Sequence, residues 1–322
     1  MSMLSILQNK NIIIEKIKEL ESYNFDSHSQ LAGYVLSQCL KTQYDMMRNN
    51  LNSNMIKKRH FNNDVKGYEL IKCLYQHIYN HNYIAMNDEI FEVQDAVNNY
   101  YNKVKFYKNK EDLYNSSLLI CEEIIDVFHF ILQYTALLEE HYQITLIENK
   151  NHFNNSNLEY YYVEDNKFSR QVYEMLLNEG NHIITYLYSN NAINFNISDI
   201  SYNYYDNYMN LFSLNRDFIR NCNFKDWKQY SDTYYDSMRF GTLFTLNRKM
   251  YAACINLIIS SIPFINRMLE NDNLELDKAN KNDVYKFIYG VYMAKNNENI
   301  RRQLEDPRYT GKENGTVIGV EV

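Results

Sequence analysis

The chain has 322 residues and a formal net charge of −7. This length allows one large domain or two smaller ones, and the negative charge argues against a protein that coats nucleic acid. Only 8 glycines and 2 prolines occur. Sheet-rich folds need many tight turns built from these residues, so the composition favours an all-α fold of long helices.

Apolar residues at helical spacing predict helices in the following order along the chain: 4–22, 31–48, 67–80, 87–108, 118–138, 168–189, 236–271 and 281–303. The stretches 139–166 and 190–235 lack clear periodicity. We interpret residues 139–280 as a helical insertion in one domain that spans residues 1–322. From about residue 304 the chain has few helix formers, which predicts a mobile tail.

The segment 118–138 reads LLICEEIIDVFHFILQYTALL. It has the length of a membrane span, but acidic residues at its centre make lipid unfavourable, so we expect no membrane association. The N-terminus lacks the features of a signal peptide. No Cys-x-x-Cys pair occurs, and the widely spaced cysteines indicate buried thiols in a reducing, cytoplasmic compartment: Cys39, Cys73, Cys121, Cys222 and Cys254.

Polar residues form a stripe on the predicted helix 118–138. Glu122, Asp126, His129 and Gln133 share this stripe, and Glu123 lies beside it. A solvated face of an amphipathic helix would explain the stripe without any function. His129 could bind a metal or hold a carboxylate by a hydrogen bond, and we favour the hydrogen bond because Mg²⁺ sites prefer oxygen.

A second acidic pair changes this interpretation. Glu89-x-x-Glu92 lies upstream of Glu123-x-x-Asp126, and the i, i+3 spacing places each pair side by side on its helix. Two antiparallel helices would bring the pairs together, where four carboxylates repel unless they are protonated or bind cations. Mg²⁺ takes carboxylate oxygens together with substrate phosphates. The sequence therefore predicts a multi-helix bundle with a Mg²⁺ site between its facing acidic helices.

Residues 122–133, EEIIDVFHFILQ, resemble the signature of the all-α dimeric dUTPases. These enzymes belong to a wider group of all-α NTP pyrophosphatases, including MazG-type enzymes, that shares an ExxE and ExxD pattern. Three further stretches agree in chain order: CLKTQYDMM, VKFYK and KNNENIRRQ. The likeness covers roughly residues 36–138 and 283–314. VKFYK lacks both tryptophans of the family's Trp-Lys-x-Trp-Lys element, and Met47 stands where an Asn often occurs.

The resemblance implies Mg²⁺-dependent hydrolysis of dUTP to dUMP and pyrophosphate, and often of dUDP as well, to dUMP and phosphate. It implies that Glu89, Glu92, Glu123 and Asp126 hold Mg²⁺. One carboxylate of the first pair, Glu92 before Glu89, would act as the catalytic base that orients the water.

The remaining ligand contacts are also implied by the resemblance. Phosphate binding is expected at Lys295, Asn299, Arg302, Lys105 and Lys108. Base binding is expected at Gln43 and Tyr107. By itself, KNNENIRRQ would also suit an ordinary basic helix end. The family usually pairs two chains, so a homodimer is expected, with a deoxynucleoside triphosphate as its substrate and no nucleic-acid partner.

Two alternatives stay open. A related all-α pyrophosphatase could act on dCTP, a modified nucleotide or another NTP. Alternatively, the chain could be a catalytically inactive regulatory protein of the same fold. The presence of four acids together with the Lys, Asn and Arg residues argues for an enzyme.

Overall fold

The computed structural model describes residues 3–52, 68–106, 110–150, 178, 197–222, 240–269, 274, 276 and 280–305. Within these residues the regular structure is helical and contains no strand, which confirms the predicted all-α fold. The described helices are α1 (Met3–Ser22), α2 (His28–Asn52), α3 (Tyr68–Phe106), α4 (Lys110–Lys150), α5 (Ile197–Asn221), α6 (Phe240–Leu269) and α7 (Lys281–Glu305).

Two helices are longer than predicted. The predicted helices 67–80 and 87–108 are one continuous helix, α3, because residues 81–86 contain no Gly or Pro and place Asn82 and Met86 in the core. Helix α4 continues beyond residue 138 to Lys150. Residues 139–150, which we interpreted as part of a loop or insertion, are therefore helical.

Helix α5 lies in a stretch that showed no clear periodicity. Its buried residues nevertheless follow helical spacing at Tyr208, Leu211, Asn215 and Phe218, and the buried Cys222 directly after the helix continues this spacing. The polar Asn215 interrupts the apolar pattern, and this explains why the helix was missed. The predicted helix 168–189, except for residue 178, and the predicted tail beyond residue 305 lie outside the described residues.

Helix α4 is the centre of the bundle. It packs against α1, α2, α3, α6 and α7, while α5 packs on α3 and α6, and α1 packs on α7. The apolar residues of these helices form one hydrophobic core, in which Ile124, Phe128 and Ile131 of α4 are almost fully buried. Helices α5 and α6 fall within the range that we interpreted as an insertion, and they belong to this same core.

Buried polar contacts fix how the helices pair. Tyr134 of α4 donates to Asn215 Oδ1 of α5 over 2.9 Å. The amide nitrogen of Asn215 donates to Asn87 Oδ1 of α3 over 3.1 Å, and Asn247 of α6 donates to Thr135 of α4 over 2.6 Å. A buried group left without its partner is costly, so these bonds favour one register of α3, α4, α5 and α6.

One described stretch, Gly241–Asn266 of α6, is long and apolar enough to cross a membrane. Most of it is buried inside the protein. The segment 118–138 also lies in the core. The apolar surfaces of both stretches therefore contact other helices, as expected of core helices.

Helices α1 and α7 approach closely at Gly290. A Cβ atom there would lie 2.9 Å from Ile17 Cγ1 and 3.2 Å from the backbone oxygen of Ile13. Alanine favours a helix interior over glycine by about 1 kcal/mol, whereas overpacking costs about 1–3 kcal/mol. Because the backbone oxygen cannot move without α1, we expect Gly290→Ala to lower the free energy of unfolding by about 1 kcal/mol, measured by urea denaturation.

Gly241→Ala is the matched control, because a Cβ atom at Gly241 meets nothing within 4 Å. This variant should be as stable as the parent protein or slightly more stable. Equal stability of the two variants would show that α1 and α7 do not approach this closely.

Candidate metal centre

The two acidic pairs meet between α3 and α4. Only residues 107–109 separate the two helices, so they run antiparallel as they pack together. Carboxylate oxygens of Glu89, Glu123 and Asp126 all lie within 4.8 Å of one another. Oxygens on opposite sides of one Mg²⁺ ion are about 4 Å apart, so small side-chain movements would allow all three to contact one cation. We call these three residues the acidic cluster.

Glu92, the fourth predicted acid, does not belong to this cluster. Its side chain is exposed, but its negative charge raises the pKa of both Glu89 and Glu123. Glu92 therefore lies close enough to influence the cluster electrostatically while facing solvent. Such a position suits a carboxylate that contacts a water molecule rather than one that binds a cation held by the acidic cluster.

Burial makes the carboxyl groups hard to ionise. The pKa of Glu89 is raised from 4.5 to about 8, first by burial and then by the charges of Asp126 and Glu92. The pKa of Glu123 is also raised to about 8, mainly by burial, although Lys295 opposes this shift. The cluster therefore favours protons, or another cation, near neutral pH.

Lys295 of α7 supplies a positive charge to the cluster. Its Nζ lies 2.6 Å from Asp126 Oδ2, and the side chains are 6% and 13% exposed respectively. Burial lowers the pKa of Lys295, but the charges of Asp126 and Glu122 outweigh burial and raise this pKa above its ordinary value. Lys295, predicted to bind phosphate, is thus charged and ion-paired at the cluster.

His129 makes a different contact from the predicted one. Its Nδ1 lies 2.8 Å from the Ile125 carbonyl oxygen but 3.8 Å from Asp126 Oδ1, which is too far for a hydrogen bond. We assign the proton to Nδ1, so this nitrogen donates to the backbone. Burial lowers the pKa of His129 to about 4. The ring is therefore neutral at pH 7, and it stacks on Tyr292 with centroids 4.2 Å apart.

Gln43 contacts Tyr292, one of the two stacked rings. It is 4% exposed, and its Oε1 lies 3.2 Å from the Tyr292 hydroxyl, whose single proton is shared between this oxygen and the Cys39 carbonyl oxygen at 2.9 Å. Its Nε2 lies 3.5 Å from Gln133 Oε1. The side chain predicted to read the base is therefore occupied by contacts inside the protein, and Tyr292 was not found from the sequence.

The other predicted ligand residues are only partly described. Asn299 is half-buried on α7, one turn beyond Lys295. Arg302 and Lys105 lie within α7 and α3, but their side chains are not described. Tyr107 and Lys108 lie outside the described residues. Their predicted roles in phosphate and base binding stay predictions.

A cavity of about 450 Å³ lies between α3 and α4, and its lining includes Glu122, the chain neighbour of Glu123. Sequence reasoning singled out Glu122 of its lining but missed the other residues: Ala96, Asn99, Lys103, Asn115, Ser116 and Leu119. The spacing in the sequence could have identified the α3 residues of this lining. They follow Glu92 at i+4, i+7 and i+11 and therefore share its helix face.

Comparison of the chain with models of protein families, with curated proteins and with solved structures finds no match. The function is therefore inferred from the geometry of the cluster and from the resemblance of its motifs.

The raised pKa values predict how stability depends on pH. Above its ordinary pKa of 4.5, Glu89 loses its proton in the unfolded chain but keeps it in the folded protein until about pH 8. The free energy of unfolding should therefore fall as pH rises through this window. Glu89→Gln, which stays neutral, should weaken this decline when urea denaturation is measured in a chelator.

Asp206→Asn at an exposed position of α5 is the control, and it should follow the parent protein. If Glu89→Gln shows the same pH dependence as the parent, the buried, protonated state of the cluster is wrong.

Proposed function

We propose that this protein is a Mg²⁺-dependent nucleoside triphosphate pyrophosphohydrolase that prefers dUTP and releases dUMP and pyrophosphate. The observation that carries this proposal is the acidic cluster, in which Glu89, Glu123 and Asp126 converge within 4.8 Å. Carboxylates are seldom brought together inside a protein unless a cation or a proton is bound there. A cavity of about 450 Å³ between the same two helices is lined in part by Glu122, the chain neighbour of Glu123, and is large enough for a small-molecule substrate.

The donor set fits a hard divalent cation. All three groups are carboxylates, and Mg²⁺ prefers oxygen ligands and keeps positions for substrate phosphates. When bound, the cation would polarise a phosphate and lower the pKa of a water molecule. Glu89 from α3 and Glu123 and Asp126 from α4 would hold it.

The residues around the cluster have distinct roles in this proposal. Glu92 is exposed beside the cluster and accepts the proton of the attacking water. Lys295 donates to a phosphate oxygen through its amino group, which now ion-pairs with Asp126; bonds between charged groups are the strong ones. Asn299 and Arg302 follow Lys295 on the same face of α7 at i+4 and i+7 and extend the phosphate contacts.

The choice of dUTP depends on the resemblance of residues 122–133 and 295–303 to the dimeric dUTPases. That likeness also supports a homodimer and a cytoplasmic location as parts of the proposal. A protein that binds nucleotides without hydrolysing them is the alternative that the assay below distinguishes.

The test measures pyrophosphate release from dUTP, dCTP, dTTP, dATP and dGTP, with Mg²⁺ and after chelation. We expect dUTP to be the best substrate, dCTP second and purines poor. A purine at the top would contradict the dUTP assignment and leave the wider pyrophosphatase class. Absence of release from every nucleotide would contradict the enzymatic proposal.

Glu123→Gln keeps the size of the side chain but removes one ligand charge. Because the variant retains fewer charges to hold the cation, Mg²⁺-dependent turnover should fall by orders of magnitude while the helical circular dichroism spectrum survives. Relief of carboxylate repulsion should also stabilise the metal-free protein. Glu15→Gln at an exposed position of α1 is the control, and near-normal turnover in Glu123→Gln would exclude the metal site.

Lys295→Met should separate metal binding from catalysis. The ammonium group occupies Asp126 and repels a cation, so its removal should tighten Mg²⁺ binding by about tenfold, measured by titration calorimetry. Turnover should nevertheless fall, because a phosphate contact is lost. Lys286→Met is the matched control on α7, since Lys286 pairs with Glu21 and Asp283 instead. Weaker Mg²⁺ binding in Lys295→Met would show that Lys295 does not compete with the cation.

A further inference from the structure

The cavity and the acidic cluster are both formed by residues of α3 and α4. On α3, Ala96, Asn99 and Lys103 continue the face that carries Glu89 and Glu92. At 1.5 Å per residue, Ala96 lies about 6 Å and Lys103 about 16 Å beyond Glu92 along the helix. A nucleotide whose phosphates lie at the cluster would therefore place its sugar and base in this cavity.

The cavity-lining residues of α4 also extend away from the cluster along the helix. Moving away from Glu123 and Asp126, the cavity meets Glu122, then Leu119, then Ser116 and Asn115. Glu122 is 2% exposed and precedes Glu123 in the chain, and its carboxylate oxygens are of the kind that accept a hydrogen bond from a sugar hydroxyl. The polar residues of the far end then face the region where a base would lie.

The walls have the chemistry of a base-binding pocket. Ala96 and Leu119 offer apolar surface for a flat ring, and Asn99 and Asn115 each offer a donor and an acceptor. Lys103 offers donors alone. Ser116 donates to the Asp112 carbonyl oxygen over 2.7 Å, so only its oxygen lone pairs remain for a ligand. Such pockets are mainly apolar with a few polar groups that fix orientation.

We propose that this cavity binds the nucleoside part of the substrate, and that Asn99, Asn115 and Lys103 select its base. Lys103 favours a base that presents carbonyl oxygens, as uracil does, because an amino group in the same place would meet a donor with a donor. This inference deepens the proposed function and depends on it for the position of the phosphates.

The alternative place for the base is at Gln43, on the other side of the cluster. Gln43 contacts Gln133, which lies two turns beyond Asp126 along α4, whereas Leu119 lies two turns before it. Gln43 is 4% exposed and its Oε1 lies 3.2 Å from the Tyr292 hydroxyl. The Gln43 amide is thus engaged inside the core, whereas Asn99 of the α3–α4 cavity is exposed, which favours the cavity.

The test compares Lys103→Met, Asn99→Leu and Gln43→Leu. For each variant kcat and KM are measured with dUTP, dCTP and 2-deoxyribose 5-triphosphate, which lacks a base. Asn99 is exposed and Lys103 half-buried, so both variants should fold, and circular dichroism checks this. Asn115→Leu is the substitute if either variant misfolds.

Lys103→Met should raise KM for dUTP by about tenfold to a hundredfold, the effect of losing one charged hydrogen bond, and should abolish the preference for dUTP over dCTP. Asn99→Leu should raise KM for both nucleotides. Neither change should affect the base-free triphosphate. An unchanged dUTP to dCTP ratio in Lys103→Met, or a loss of base selection in Gln43→Leu alone, would overturn the proposal.

A binding measurement separates this inference from the proposed function. The probe is α,β-imido-dUTP with Mg²⁺, followed by calorimetry. If the parent protein hydrolyses no nucleotide but binds the probe, and Lys103→Met and Asn99→Leu weaken binding at least about tenfold, the cavity holds the nucleoside although the proposed activity is wrong. If the parent protein does not bind the probe, or if these variants bind it as the parent does, the cavity is not the base site.

Discussion

Placing carboxylates on the most central helix of a bundle is the constraint on which the rest of the structure depends. Glu122 and Glu123 of α4 are 2% and 8% exposed, and ionised groups at such positions are unstable without a compensating charge. Lys295 from α7 provides that charge by its contact with Asp126. The ion pair therefore compensates part of the negative charge of the acidic cluster. It also joins α7 to α4 at the site.

The position of Lys295 depends in turn on packing far from the cluster. Helix α7 is held against α1 at Gly290, where a side chain would collide with Ile17. Gly290 precedes Lys295 by little more than one turn. Tyr292, between them, donates to the Cys39 carbonyl oxygen of α2 over 2.9 Å and stacks on His129. Close packing of α1, α2 and α7 thus positions the Lys295 ammonium group at the cluster.

The acidic cluster was the part of the site most accessible from sequence. Two i, i+3 acidic pairs on helices that pack together are a local pattern, and Glu89, Glu123 and Asp126 do converge. That Glu92 faces solvent depends on the rotation of α3, which its spacing alone does not determine. The contacts of Lys295 and Gln43 join residues far apart in the chain, and helical periodicity carries no information about such pairs.

The fold was also predictable from local patterns, and the errors in the predicted helices have physical causes. Apolar spacing and the scarcity of Gly and Pro predict helices, and the predicted all-α fold is confirmed. Helix α5 was missed because Asn215 interrupts its apolar face, yet Asn215 is buried and bonded to Tyr134 and Asn87. A buried polar residue that is fully bonded by other helices looks, in the sequence, like a break in the pattern.

Stability and cation binding place opposite demands on the cluster as pH changes. Glu89 and Glu123, with pKa values raised to about 8, keep their protons near neutral pH and so reduce repulsion in the metal-free protein. A cation must displace these protons, because it binds the ionised carboxylates. Raising the pH therefore destabilises the metal-free protein. It also increases the affinity of the site for the cation, until both carboxyl groups are ionised. The bound cation then offsets the repulsion that deprotonation creates, so the form that binds substrate is also the form that most needs the metal for its stability.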